Sequence, residues 1–275
     1  MVITFVIDNF SSKTDGTNIS ANRFKEELEK LGHEVRVVAI GVSGNNMYCL
    51  KEHYIPIVTP VSRKSNMRFA KFDKEIVKKA LEGADIVHLF FPWQLQRKTL
   101  KLAKKMGIPC TAAFHCQPEN ISYNIGLKKL GFVNSILYKM FRHRLYKKVD
   151  NIHCPSQFIA KELEKHKYKA KLHVISNGMA DAFIPRENKI EKKDDKINVL
   201  MIGRLSSEKR QDLIIKAVNA SKYRTKIQIY FAGRGPKEKY YKKLGSKLPI
   251  PPIFDFYNQS NLIDLLHKTD IYNDM

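Results

Sequence analysis

The chain alternates between short apolar runs and longer amphipathic stretches. Val2–Ile7, Val35–Ile40, Asp85–Phe90, Ile108–Phe114 and INVLMIG at 197–203 are mostly continuous apolar runs. Their length and β-branched content suit strands buried on both faces of a parallel sheet. Ile152–Pro155, Lys226–Ala232 and Ile253–Phe256 read as further strands, LHVISNGM as a strand with an Asn177-Gly178 turn, and TDIY at 269–272 starts one more. From Thr17 the pattern turns helical, with Ile19, Phe24 and Leu28 on one face and a stop at Gly32. Ser156 caps a helix running to about His166, and Leu262–His267 is helical. Gly41–Pro60 reads as irregular. Strands alternating with helices predict an α/β fold with Rossmann-like units. A polar, charged segment at 185–196 reads as a linker, giving domains 1–184 and 197–275.

Two stretches stand apart by their basic residues. SRKSNMRFAKFDKEIVKKALEG places Met67, Phe69, Phe72, Ile76 and Val77 among seven lysines and arginines. In 127–149, Leu130, Val133, Leu137, Met140 and Phe141 recur at helical spacing, and Gly131 early in the run suggests two pieces. Such stripes suit helices packing on a sheet. A basic helix with an apolar stripe also suits an anionic bilayer surface.

Composition sharpens this picture at one point. The formal net charge is +22 over 275 residues, which suits nucleic acid, an anionic membrane or anionic substrates. Zinc-finger spacing and RNA-recognition aromatics are not found, so nucleic acid is not expected as a partner. No apolar run approaches the roughly 18 residues of a membrane span. The N-terminal VITFVI lacks a basic region before it and reads as a first strand. The four cysteines show no CxxC pairing, and reduced thiols in a cytoplasmic protein are expected.

The candidate chemistry sits mainly in Val199–Val218. A strand ends at Gly203, a helix is expected within a few residues with Ser206 or Ser207 as its N-cap, and Arg204, Lys209 and Arg210 lie between. Free N–H groups, the helix dipole and full positive charges favour a phosphate there. The same pattern also suits a plain βα turn with solvated charges. Ile108–Phe114 runs into His115, at the strand end where open α/β sheets bind ligands, although a lone histidine also serves as a satisfied structural residue. Gly16, in the first βα loop, and GRGP at 233–236 are turn glycines with room for close approach.

GRLSSEKRQDLIIKAV resembles the G-R-L-x-x-E-K-x-x-x-x-L-I-x-A signature of the family 4 glycosyltransferases. DGTNISANRFKEELEKLGHEVRVV, AAFHCQPENISYN and the Gly-x-Gly-Pro at 233–236 are similar to further segments of that family, so the resemblance spans nearly the whole chain. It implies the GT-B fold, two Rossmann-like domains, with the second incomplete. It implies transfer of a hexose from a nucleotide diphosphate sugar with retention. Arg204 and Lys209 would grip the pyrophosphate, with Gly203 giving clearance. Gly16 would approach the donor, Gly233 and Gly235 would lie near the nucleotide, and His115 would lie beside the sugar. Glu119 could face the acceptor. No metal or other cofactor is implied.

The family's paired glutamates have no counterpart before Met275, so the chain is expected to be C-terminally truncated and inactive as written. HCQPENISYNIG and the basic surface resemble the diacylglycerol glucosyltransferases within the family. That implies a lipid acceptor and a peripheral position on the inner face of the membrane. Two alternatives stay open: a fragment or pseudoenzyme that binds nucleotide sugar without turnover, and a basic Rossmann-type nucleic-acid binder.

Overall fold

The computed structural model describes residues 1–11, 15–56, 58–63, 67–124, 131–179, 183 and 195–273. The chain divides into two units, Met1–Gly178 and Met179–Met275. Apart from Asp195 and Lys196, the segment expected as linker lies outside the described residues.

In the first unit seven strands form one sheet: β1 (Val2–Asn9), β2 (Glu34–Ile40), β3 (Met47–Leu50), β4 (Ile86–Leu89), β5 (Cys110–Ala113), β6 (Asn151–Cys154) and β7 (Lys171–Val174). Their order is β3-β2-β1-β4-β5-β6-β7, and each adjacent pair is parallel. Connecting them are α1 (Gly16–Lys30), α2 (Val58–Arg63), α3 (Lys74–Leu81), α4 (Gln94–Lys105), α5 (Pro118–Asn124), α6 (Gly131–Arg144) and α7 (Gln157–Lys165). Period-two alternation sends Phe5 and Ile7 of β1 into one apolar cluster and Val6 into the other, so both faces of the sheet are buried. That is why the strands read as unbroken apolar runs. Each such side chain stabilises the unit by about 1.5–3 kcal/mol when fully buried.

The second unit repeats the plan with β8 (Ile197–Ile202), α8 (Gln211–Ala220), β9 (Ile227–Ala232), α9 (Glu238–Gly245), β10 (Ile253–Asp255), α10 (Gln259–His267) and β11 (Ile271–Tyr272). Its strand order is β10-β9-β8-β11, again all parallel. Val199, Met201, Ile229 and Phe231 face one cluster, while Leu200 and Ala232 face the other.

Several details depart from the sequence reading. The stretch expected to be irregular contains β3, which pairs with β2. In the basic stretch at 63–79, α2 ends at Arg63 and α3 begins at Lys74. Asp73 caps α3 through its side chain, accepting from the Glu75 and Ile76 N–H groups. In α3, Val77, Ala80 and Leu81 are buried, so that stripe belongs to the core. In α6, Tyr138 and Phe141 are buried and Met140 packs on the core, while Phe132 and Ile136, four residues apart, remain 62% and 58% exposed. Residues 127–130 lie outside the described residues.

One buried carboxylate stands out on β1. Asp8 is 2% exposed and accepts hydrogen bonds from the Ala70 N–H (2.9 Å) and Gln96 Nε2 (2.6 Å). Burial outweighs both bonds and pushes its pKa up to about 6.

Candidate functional site

At the end of β8, Gly203 takes φ +151°, a backbone conformation that side chains rarely adopt. The chain then makes a short 3₁₀ turn, Ser207–Lys209, passes through Arg210 at φ +49°, and only then enters α8. The helix therefore begins later than expected. Ser206 Oγ does not cap it but donates to the Arg204 carbonyl at 3.2 Å. The left-handed conformation at Arg210 interrupts the helical path, so Arg204 and Lys209 sit on the turn ahead of the helix.

That turn is stitched to the loop after β9. Gly203 N–H donates to the Ala232 carbonyl (3.0 Å), Leu205 N–H to Arg234 (3.1 Å), and Lys237 N–H to Leu205 (3.0 Å). A Cβ at Gly233 would lie 2.1 Å from the Gly203 oxygen, and one at Gly235 would lie 2.3 Å from the Leu205 oxygen. Both glycines, expected on account of a nucleotide, thus have a reason within the chain itself: two backbones in contact.

The charges on this turn are ordered. Arg204 pairs with Glu208. Burial alone would raise the Glu208 pKa, but the Arg204 guanidinium and further hydrogen bonds hold it below the usual carboxylate range. The Lys209 stem crosses Gly203, where a side chain would meet its Cε at 3.6 Å. Two residues passed over in the sequence reading hold the carbonyls. Gln211, wholly buried, donates from Nε2 to the Arg204 carbonyl (3.0 Å), and buried Tyr241 donates its hydroxyl to the Ser206 carbonyl (2.9 Å). With these oxygens engaged by protein donors, the partial negative charges of the turn are offset, and Arg204, Lys209 and Arg210 outnumber the neighbouring Glu208 and Asp212. Such an arrangement can take a phosphate or diphosphate.

In the first unit, His115 lies just past β5. It stacks on Phe90 (centroids 5.8 Å, 14°) and meets His153 of β6 edge-on at 5.4 Å. His88 of β4 lies 6.4 Å from His153 and shares a 2.8 Å hydrogen bond with Thr111 Oγ1. Burial, then the neighbouring imidazoles, push the pKa values of His88 and His115 down to about 3. His153 is also lowered by burial, partly offset by its 2.7 Å bond to the Ile175 carbonyl. The rings do not converge on a point, and no group of three potential metal ligands occurs among the described residues. His115 Nε2 is buried with no hydrogen-bond partner among the described residues. A neutral imidazole with one ring nitrogen unengaged is suited to exchange a hydrogen bond with a hydroxyl.

His88 and His153 were missed, yet a signal existed. IVHLF, AAFHC and NIHCP each carry one histidine in an otherwise largely apolar strand segment, on three neighbouring strands.

The remaining candidates are less constrained. Gly16 opens α1, whose N-cap Asp15 accepts from the Asn18 N–H at 3.1 Å, and a Cβ at Gly16 would meet nothing within 4 Å. The chain's own packing does not demand a glycine there. Glu119 accepts a hydrogen bond from Tyr138 at 3.2 Å, tying α5 to α6.

Comparison with known proteins bears on both units. The model of Glycosyltransferase Family 4 matches residues 14–182, and that of Glycosyl transferases group 1 matches residues 184–273. An alpha-monoglucosyldiacylglycerol synthase from Streptococcus pneumoniae is 25% identical over 91% of this chain and 59% of its own length. A GDP-mannose-dependent alpha-mannosyltransferase from Mycolicibacterium smegmatis is 24% identical over 86% of this chain and 64% of its own. The chain thus spans about three fifths of the length of these curated relatives. Among solved structures, Anabaena HepE in complex with UDP-glucose aligns over 100% of this chain and 74% of its own (TM-score 0.64, 13% identity). TarM aligns over 98% and 79% (TM-score 0.65, 11% identity). These likenesses show the GT-B fold, and since the first family model alone accounts for more than half of the sequence, the chain belongs to glycosyltransferase family 4.

Proposed function

We propose that this protein moves a hexose from a nucleoside diphosphate sugar to an acceptor, with retention of configuration. The observation that carries the reading is the Gly203–Arg210 turn, where buried donors hold the carbonyls and Arg204 and Lys209 supply positive charge. In the reaction the bond between the anomeric carbon and the diphosphate oxygen breaks, and its electron pair stays on the departing diphosphate. Arg204 and Lys209 stabilise that charge, so the reading requires no metal ion. The acceptor hydroxyl forms the new bond on the same face, and its proton goes to the leaving phosphate. His115, neutral and with Nε2 unengaged, serves the sugar side and leaves the phosphate to the cations. Gly16 leaves its backbone open to close approach.

The acceptor in this reading is a membrane lipid such as diacylglycerol, reached from the cytoplasmic face. The Streptococcus pneumoniae relative, by its name, makes a glucosyl diacylglycerol. The net charge of +22 and the exposed Phe132 and Ile136 beside Lys139 fit an anionic bilayer surface. No helix among the described residues is long and apolar enough to cross a membrane.

Three experiments test the proposal. Calorimetry with UDP-glucose and GDP-mannose should show binding that Arg204→Ala weakens, and mass spectrometry should find hexosylated lipid after incubation with diacylglycerol vesicles. Failure to bind any nucleotide sugar would remove the enzymatic reading. Sedimentation should carry the protein down with anionic but not neutral vesicles, and high salt should release it. Equal binding to both would end the electrostatic account of the membrane.

A further inference from the structure

The Arg204–Lys209 turn is held from beneath by two residues that the motif does not include. Gln211 is the first residue of α8 and Tyr241 lies in the middle of α9, yet both reach the same short piece of backbone. They bind the carbonyls on either side of Leu205, at 204 and 206. Neither side chain is needed to fill space as a polar group. Tyr241 belongs to the same buried apolar cluster as Leu205, Ile214 and Ile215, which a phenylalanine ring would suit equally well. Gln211 is wholly buried with its Oε1 unpartnered, a cost that an apolar side chain of the same length would avoid.

The consequence lies in the geometry of the trans peptide, whose C=O and N–H point in opposite directions. Drawing the Ser206 oxygen into the core at Tyr241 turns the Ser207 N–H away from the core. Drawing the Arg204 oxygen toward Gln211 turns the Leu205 N–H the other way, where the Arg234 carbonyl receives it at 3.1 Å. The two anchors thus fix the orientation of the 204–205 and 206–207 peptides, and with them the backbone from which Arg204 and Lys209 project.

We propose that Gln211 and Tyr241 are positioning residues for diphosphate binding, holding the turn so that Arg204, Lys209 and the Ser207 N–H present one preorganised set of donors. This rests on the reading of the turn as a diphosphate site. Preorganised donors bind an anion without the cost of ordering the loop at the moment of binding.

The test uses the full chain and two nucleotide pairs, UDP with UMP and GDP with GMP, by calorimetry. Tyr241→Phe keeps the ring and removes only the hydroxyl; Gln211→Met keeps the length and removes only the amide. Each should weaken the diphosphate that the protein binds by about five-fold, the scale of one hydrogen bond, and change its monophosphate partner less than two-fold. Thermal unfolding of both variants should remain cooperative. Undiminished diphosphate affinity in both, with affinity lost in Arg204→Ala, would overturn the positioning role and leave the diphosphate site standing. Equal losses for diphosphate and monophosphate, or loss of cooperative unfolding in both variants, would reduce the two residues to fold maintenance and also overturn it. If the wild type binds neither UDP nor GDP, the underlying reading fails and this one with it.

Discussion

At the end of β8 the second unit pairs a partly exposed Arg204 with a Glu208 carboxylate held below the usual pKa range, whereas on β4 and β6 and just past β5 the first unit buries imidazoles and keeps them neutral. Both regions lie at or near the C-terminal ends of parallel strands. The difference is in what surrounds them. Around Arg204 the carbonyls are tied to buried donors and a carboxylate stands opposite, so charge is retained. Around His115 stand Phe90 and other imidazoles, so charge is excluded. The comparison teaches that position on the sheet offers a site, while solvation and partners decide its chemistry. A site that must hold a diphosphate needs the first environment, and one that meets hydroxyls can use the second.

Acid should break the comparison most strongly. The folded pKa values of His88 and His115 lie below the ordinary value near 6.5, so the folded state binds fewer protons than the unfolded chain. Their contribution is present above about pH 6.5 and is lost as pH falls toward 3. The scale is up to about 3 kcal/mol per imidazole at pH 4. Trp93, the chain's only tryptophan, lies in the first unit and reports its urea unfolding there. His115→Gln should flatten the acid limb of that titration, and an unchanged limb would assign the loss to other groups.

The next effect concerns the second unit. Gly235→Ala puts a Cβ 2.3 Å from the Leu205 oxygen, and relief requires the two backbones to part. A destabilisation of about 3 kcal/mol is expected, with nucleotide binding lost and Trp93 unfolding unchanged. Gly16→Ala, which meets nothing within 4 Å, should leave stability within about 0.5 kcal/mol of wild type. Similar melting of both variants would contradict the assigned contacts.

Arg204→Ala and Lys209→Ala should each weaken nucleoside diphosphate binding by about 1.5–3 kcal/mol, the scale of a charged hydrogen bond. Since the loop is held by Gln211 and Tyr241, little change in unfolding is expected. Calorimetry that finds full affinity in both variants would take the cations out of the mechanism.

The smallest effect separates two buried groups by sign. Asp8 has its folded pKa raised to about 6, so its stabilising contribution is full below about pH 3.8 and is lost as pH rises through 6. This opposes the histidines over the same range. In Asp8→Asn the new amide can accept from the Ala70 N–H and, after a flip of Gln96, donate to the Gln96 Oε1 that now lacks a partner. A gain of about 1 kcal/mol at pH 8 is expected. A loss at pH 8 would mean that the carboxylate is needed by something else.

Much of this was legible along the chain. Buried parallel strands announce themselves as unbroken apolar runs, so β1, β2, β4, β5, β8 and β9 were found close to their observed positions. The four-residue β3 was not, because MYCL, though apolar, is short and lacks β-branched residues, and it sits between the polar SGNN and KEH. The residues of the Gly203–Arg210 turn were found because their order in sequence is fixed by one local strand-to-helix connection. The helix start was misplaced, since Ser206 offers a capping side chain and only the backbone at Arg210 shows that the helix waits until Gln211.

By itself the sequence determined where the strands other than β3 fall, where the cations lie on the connection after β8, and that the net charge is strongly positive. Tertiary structure alone decided that Gly233 and Gly235 answer to the backbone at 203–205, that Tyr241 reaches Ser206 across 35 positions of chain, and that three histidines share one region. These facts depend on strand order and on helices folding back over the sheet. Local periodicity carries no information about which distant carbonyl a buried hydroxyl will meet, nor about how dry an imidazole will be once its neighbours close around it.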